Sequence, residues 1–584
     1  MEGATAEETV SPPAEEAPRA SGRRFEPRKA ALWVGRLLIS EGLIAFYVGL
    51  AISMVFNHRI VTHPKSLLTG GLGDPLLWVW ELGWQHHWLT HGGDFWTSNQ
   101  FYPAVDNYAF GETLLGYLPF SVFAGEGQYD NVFLYNVLFV FCFALAFAGA
   151  YLLAKQLGSN WQGALLAGVV WAWAPWRLSH IAHLNVLSTG GIALALWALA
   201  KGHGFTFRGE RGETKPRWVV AGWLIAAWQV SIGWAIGLPF VYLMALVGIA
   251  IALYAWRLGR RMIIANVVGV VAFLGIVYWL VVPFLRVRSE YGFTRTWKEV
   301  ETFSPPINGL WTAPYETWVW LETFFNDQST LPQDGAGEML LFPGLVVAVL
   351  GIAGLFLSAW TWKVRVFVGV FVAFNVLLSL GTTFLGGDLY WLFWNFLPGW
   401  DAMRTPGRMI MWVTLGLAVL AAGLVTRLYR LIDENTRMAR QVIAFYMMFP
   451  AFFALIEGIP RWQQVENPGI PPDVKQVFTT AKEPIALLPM DLWSNFKYQL
   501  WSTEGFPTTA NGTASNYGPQ FHDMQDSSAT FPDKHSIDVF KRYGIRKVVV
   551  VKSMEGAVGI LQRPTAGLPL TKVESNDVVV FTLQ

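Results

Sequence analysis

Apolar runs of membrane-crossing length recur along this chain, and that repetition constrains its fold more than any single motif. Crossing a bilayer takes about 20 apolar residues as helix. Such runs fall at 37–56, 133–154, 161–176, 183–200, 218–236, 237–256, 262–285, 339–360, 366–384, 409–426 and 441–456, about eleven in all. Those at 161, 183 and 441 are the weakest, because Pro175, His183 and Glu457 crowd their ends. A soluble core does not need 53% hydrophobic residues with 41 Phe and 30 Trp in 584. The expected fold is therefore an α-helical polytopic membrane protein.

Charge gives an independent reading, because short loops rich in Lys and Arg stay in the cytoplasm. The basic clusters are Arg23, Arg24, Arg28 and Lys29; Lys201, Arg208, Arg211, Lys215 and Arg217; Arg257, Arg260 and Arg261; Lys363 and Arg365; and Arg427, Arg430, Arg437 and Arg440. With eleven spans all of them fall on one side. The N-terminus is then cytoplasmic, and 57–128, 286–338, 385–408 and 457–584 face outward, the C-terminus included. Residues 1–30 read as a disordered cytoplasmic tail, rich in Ala, Glu and Pro over 1–22, ahead of a transmembrane domain over 31–456. The first apolar run has no small-residue cleavage site behind it and reads as a retained span. The single cysteine, Cys142, allows no intramolecular disulfide and no Cys-based zinc site. A net charge of +1 gives no reason to expect a nucleic-acid partner.

Residues 457–584 change in composition and are expected to form a small extracytoplasmic α/β domain. "IALLPM" (485–490), "RKVVVVK" (546–552) and "DVVVFTL" (577–583) have strand length and β-branched content, "SIDVFKRYG" (536–544) reads as a helix ended by Gly544, and "TTANGTASNYG" (508–518) as a polar loop.

The outward segment 57–128, about 70 residues, is too long for a mere connection and must fold on the membrane surface. Its Trp78, Trp80, Trp84, Trp88 and Trp96 suit the headgroup level. In "LGDPLLWVWELGWQHHW" (72–88), Gly-Asp-Pro can place Asp74 as a helix cap before a first-turn proline. Capping and catalysis are equally good readings of Asp74. Glu81 reads as a solvated or paired face charge.

The runs "GDPLLWVWELGWQHHWL", "FYPAVDNYAFGETLLGYLPF" (101–120), "PWRLSHIAHLNVLS" (175–188), "LFPG" (341–344) and "MRTPGRM" (403–409) resemble bacterial glycosyltransferase-like polytopic membrane proteins, the YfhO type among them, grouped with the GT-C glycosyltransferases. "PTTANGTASNYGPQF" and "YGIRKVVVV" are similar to that group's outward tail. The resemblance implies a GT-C-like bundle in the bacterial cytoplasmic membrane, whose first outward loop carries an essential acid, a position that Asp74 matches. It also implies a cavity admitting a polyprenyl-phosphate-linked sugar donor at the outer face, to be joined to a glycan, lipid or protein acceptor of the envelope. The paired acids of better-studied members are absent as an Asp-Asp or Asp-Glu dipeptide, so a divalent ion, Mg or Mn, is left open and no metal ligand is assigned.

Moving a sugar from a lipid phosphate to a hydroxyl needs a carboxylate to take the acceptor proton and cations or dipoles for the departing phosphate. Asp74 and Glu112 are the acid candidates, although Glu112 could instead pair with a nearby Arg. Arg295 in "YGFTRTW" and Arg404 and Arg408 in "MRTPGRM" are the phosphate candidates, with headgroup anchoring as the plainer role. Tyr102 and His183 join them as substrate-binding candidates, while His180, His183 and Asn185 could equally be hydrogen-bonded bundle residues. His86 and His87 point to different helix faces; His87 and His91 share one, but no helix-borne acid accompanies them, so zinc is not expected. The competing classes are a transporter or flippase of envelope lipids, which internal symmetry would favour but none is evident, and a non-catalytic envelope scaffold.

Overall fold

Glycine, proline and capped ends cut the apolar runs into helices of unequal length, and that inequality shapes the molecule. The computed structural model describes residues 39–584 apart from 211 and 334, so the tail expected over 1–30, its basic cluster and Arg211 lie outside the described residues. The chain divides into two compact units, Met1–Ile44 and Ala45–Gln584; apart from the start of helix Glu41–Phe56, everything below lies in the second.

Each expected span overlaps a helix, but among the described residues seven helices, not eleven, are long and apolar enough to cross a membrane: Gln128–Leu157, Leu184–His203, Trp234–Arg257, Arg260–Tyr291, Trp362–Ser379, Pro406–Asn435 and Arg440–Glu457. The other four expectations land on Glu41–Phe56, Trp161–Trp173, Pro216–Ile232 and Leu345–Leu357, of 16, 13, 17 and 13 residues. Local chemistry ends the two shortest. Asn160 caps Trp161–Trp173 by accepting from the Gly163 N–H, and Pro175 follows its far end. Gly344, at φ +106°, and Ser358 bracket Leu345–Leu357. At 1.5 Å per residue a 13-residue helix is about 20 Å long, short of a hydrocarbon layer about 30 Å thick.

Pro406–Asn435 is the axis of the bundle, its apolar window entirely buried against Trp161–Trp173, Leu345–Leu357 and Trp362–Ser379. Glycines permit the close approach: a Cβ on Gly163 would lie 2.4 Å from the Ala422 carbonyl oxygen, and one on Gly354 equally near that of Leu420. Arg260–Tyr291 and Trp362–Ser379 instead expose most of their apolar side chains, as faces turned to lipid do.

The two ends of the bundle differ. At one, the basic loops gather: Phe207 donates to the Leu157 carbonyl, Thr361 to that of Phe207, and Arg427 to that of Leu357. The segments expected to face outward also meet one another. Leu67–Thr69 pairs antiparallel with Gln464–Glu466, and Arg288 binds Asp401.

Residues 457–584 contain a four-stranded sheet in the order Ile485–Leu488, Lys547–Val551, Val578–Leu583, Leu570–Glu574; the first pair is parallel and the others antiparallel. Helix Lys534–Arg542 precedes the second strand, and Gly544 turns the chain at φ +81°. The polar loop over 508–518 is largely buried. Asn511 accepts from the Leu487 N–H at 2.7 Å and donates to the Leu487 carbonyl at 2.9 Å and Asn495 Oδ1 at 2.8 Å. Backbone bonds from Thr509 to Asn99 and from Phe101 and Tyr102 back to Asn511 and Thr509 stitch it to the first loop.

Candidate active site

Helix Asp74–His91 carries the first acid. Pro75 pre-sets its first turn, and Gly92, at φ +74°, ends it. Asp74 is its first residue, yet Gly73 holds the capping position and no side-chain cap bond forms. The Asp74 carboxylate instead faces His183, Oδ2 to Nε2 at 3.3 Å, with both side chains partly open to solvent. Three of the five tryptophans expected at the membrane surface are enclosed by protein instead, while Trp88 and Trp96 are half-buried. Trp78, Trp80 and Trp84 are buried, with indole N–H groups donating to Ala182 O, Asn99 Oδ1 and Phe95 O. Trp78 thereby ties the Asp74 helix to the turn bearing His183.

Arg177, fully buried, holds that turn from the other side through bonds to the Ala172 carbonyl, Thr189 Oγ1 and the Leu187 carbonyl at 3.0, 2.9 and 2.7 Å. It places His180 beside His183, Nδ1 to Nδ1 at 3.4 Å. His180 Nε2 is 3.9 Å from Glu338, whose carboxylate takes Arg408 at 2.5 Å (Nη2) and 3.1 Å (Nε). Burial pushes His180 down to about 3, so it is neutral. Burial alone would raise Glu338, but Arg408 and the two histidines overcome it and hold the carboxyl down to about 2. Asp74, His183, His180, Glu338 and Arg408 thus form one polar chain at the end of the bundle.

Two further carboxyls stand behind it. Glu81, two turns from Asp74, is buried, and its Oε2 has no hydrogen-bond partner among the described residues. This overturns the face-charge reading: burial, then the charges of Glu112 and Asp74, raise its carboxyl well above the usual range. Glu112 binds the start of helix Trp234–Tyr254, Oε2 to the Trp234 N–H at 2.5 Å and Oε1 to the Ala235 N–H at 2.9 Å. Both oxygens are engaged, an anchoring role at a positive helix end. Burial raises it, against those N–H bonds and the charge of Arg408.

Arg295 and Arg404 share a different acid, Glu299, at 3.3 and 3.6 Å. Arg295 also donates to the Ser515 carbonyl at 2.9 Å, whereas Arg404 is 39% exposed over the Phe303 ring. Burial first, and then Asp74, raises the Tyr517 phenol while Arg404 lowers it, so Tyr517 senses both charges. The structure does not join Tyr102 to the polar chain. It packs with the apolar core around the four-stranded sheet, its hydroxyl against Gly544.

His180, His183 and Glu338 keep their donor atoms within 4.8 Å of one another, close enough to hold one metal ion, with Asp74 against His183. Two imidazoles and a carboxylate suit Mn or Zn better than Mg, which favours oxygen. Sequence reasoning missed Glu338, His180 as its neighbour, and Arg177. "GAGEMLLFPG" holds no ligand spacing, and the one available signal was an Arg in "PWRLSH" at a span end.

The sequence matches no family model and no curated protein. Solved structures do match. The arabinofuranosyltransferase AftD from mycobacteria aligns over 93% of this chain and 41% of its own, at 14% identity and a TM-score of 0.57. The oligosaccharyltransferase of Archaeoglobus fulgidus tethered to an acceptor peptide aligns over 88% and 70%, at 12% and 0.46. ArnT from Cupriavidus metallidurans aligns over 95% and 98%, at 12% and 0.37. The latter two are too loose to carry an argument. The AftD likeness shows the fold alone: the chain shares the helical fold of that membrane arabinofuranosyltransferase. The chain spans about two fifths of AftD's length.

Proposed function

We propose that the protein is a membrane glycosyltransferase that moves a sugar from a polyprenyl-phosphate donor to an envelope acceptor at the outer face of a bacterial cytoplasmic membrane. Its motifs resemble those of the YfhO type. The observation that carries this reading is Asp74: it starts a helix without capping it and points at His183 in a polar chain at the bundle end.

In this reading the acceptor hydroxyl loses its proton to Asp74 as its oxygen attacks the anomeric carbon and the bond to the lipid phosphate breaks. His183 Nε2 holds the carboxylate in place. Arg408 is committed to Glu338, so Arg404, half-exposed beside Glu299, is the cation best able to turn to the departing phosphate. His180, His183 and Glu338 would hold a divalent ion whose chemistry there is to neutralise that phosphate. Glu112 anchors the Trp234–Tyr254 helix end that closes the site.

The test is to offer polyprenyl-phosphate sugars to the purified protein and follow released polyprenyl phosphate, with and without chelator. Release by the wild type and its loss in Asp74→Asn support the reading. Transfer that survives Asp74→Asn sinks Asp74 as the base.

A further inference from the structure

The far end of the Asp74 helix carries a second cluster that the proposed reaction does not use. His87 and His91, one turn apart, stack with ring centroids 4.4 Å apart and planes 22° apart. Glu126, from the segment before helix Gln128–Leu157, brings Oε1 to 3.3 Å from His91 Nε2. Donor atoms of all three lie within 4.8 Å of one another. The acid that the local sequence lacked is thus supplied by the fold.

Proton placement makes the arrangement informative. Thr90 Oγ1 donates to the carbonyls of His86 and His87, at 3.0 and 3.1 Å, so its oxygen is left to accept from His91 Nδ1 at 2.9 Å. The His87 carbonyl stands 3.3 Å from the same nitrogen. A neutral His91 then carries its lone pair on Nε2, facing a carboxylate oxygen, and two acceptors in contact require a proton or a cation between them. His87 lies against the Phe506 ring at 4.4 Å, and its ring nitrogens make no hydrogen bond among the described residues. Two charged imidazoles would repel in this stack, whereas two neutral ones plus a carboxylate are a metal-binding set.

We propose that His87, His91 and Glu126 form a divalent transition-metal site of the zinc type, separate from the Asp74 cluster and with one coordination position open to a water or an anionic ligand. Occupied, it clamps the end of the Asp74 helix to the entry of Gln128–Leu157.

The test uses the full-length protein in detergent, stripped of metal and titrated with Zn2+, then with Co2+ for its visible absorption. His180→Ala/His183→Ala serves as background, so that binding at the other histidine cluster cannot be mistaken for this one. One equivalent should bind in that background and be lost on adding His91→Ala or Glu126→Gln. Should the background fail to fold, the wild type is compared with His91→Ala alone, which should bind one equivalent fewer and show a smaller Zn2+-induced rise in Tm. Uptake and Tm rise unchanged by His91→Ala would mean that a proton alone bridges His91 and Glu126, and the proposal falls.

Discussion

Asp74 and His183 face each other at 3.3 Å although one begins a helix of the first loop and the other closes a turn between two bundle helices. Because the Asp74 carboxylate makes no cap bond, its removal should not unravel the helix.

Asp74→Asn should therefore melt within about 1 kcal/mol of the wild type, the size of an ordinary cap effect, while transfer falls roughly 100-fold to 10,000-fold, the worth of a positioned base. Melting by fluorescence and single-turnover transfer on the same preparation separate the two. A comparable loss of both would make Asp74 structural.

Glu338 and Arg408 form a nearly buried pair, 9% and 13% exposed. Glu338→Gln leaves the guanidinium without its counter-charge and should cost about 3 to 5 kcal/mol. Replacing both, Glu338→Leu with Arg408→Met, should recover most of that stability without restoring activity. Thermal denaturation of the two variants checks the non-additivity.

Acidification should weaken the fold through His180. Its folded value of about 3 lies below the ordinary value of about 6.5. Between those limits the unfolded chain binds the proton and the folded chain does not, so stability falls as pH drops from about 6.5 toward 3. Glu338, held at about 2, adds a loss only as pH falls below the ordinary carboxylate range, about 4.3, toward 2. Tm against pH should flatten above about 4.5 in His180→Gln; an unchanged slope there would place the titration elsewhere.

Asn511 satisfies both backbone groups of Leu487 from inside the lobe. Asn511→Ala should cost roughly 2 to 4 kcal/mol, from two or more buried partners left unmet. Because Asn99, Phe101 and Tyr102 bond to the same strap, residues 457–584 expressed alone should show weaker, less cooperative melting by circular dichroism than the lobe in the whole chain.

Seven of the eleven expected spans and three of the four strands of the sheet were legible because apolar length and β-branched runs are local signals: Lys547–Val551 and Val578–Leu583 sit within a residue of their reading, whereas Leu570–Glu574 was not read as a strand. Asp74 and His183 were legible as individuals. Their meeting was not, nor was the approach of Glu338 and Glu126 to histidine pairs distant in sequence, since only tertiary packing makes those contacts. Glu81 misled for the same reason: a charge on a helix looks solvated until the other face of that helix is seen to be covered as well.

The two 13-residue helices have a consequence for where chemistry can happen. Trp161–Trp173 leads into the His180 turn, and Leu345–Leu357 starts just after Glu338; at their other ends Asn160 and Leu357 are held by Thr426 and Arg427 of the central helix, on the basic side. Against a hydrocarbon layer about 30 Å deep, each falls short by about 10 Å. In the glycosyltransferase reading proposed above, two such short members would let the polar chain sit below the level that full-length helices reach, where a lipid-borne phosphate would meet it.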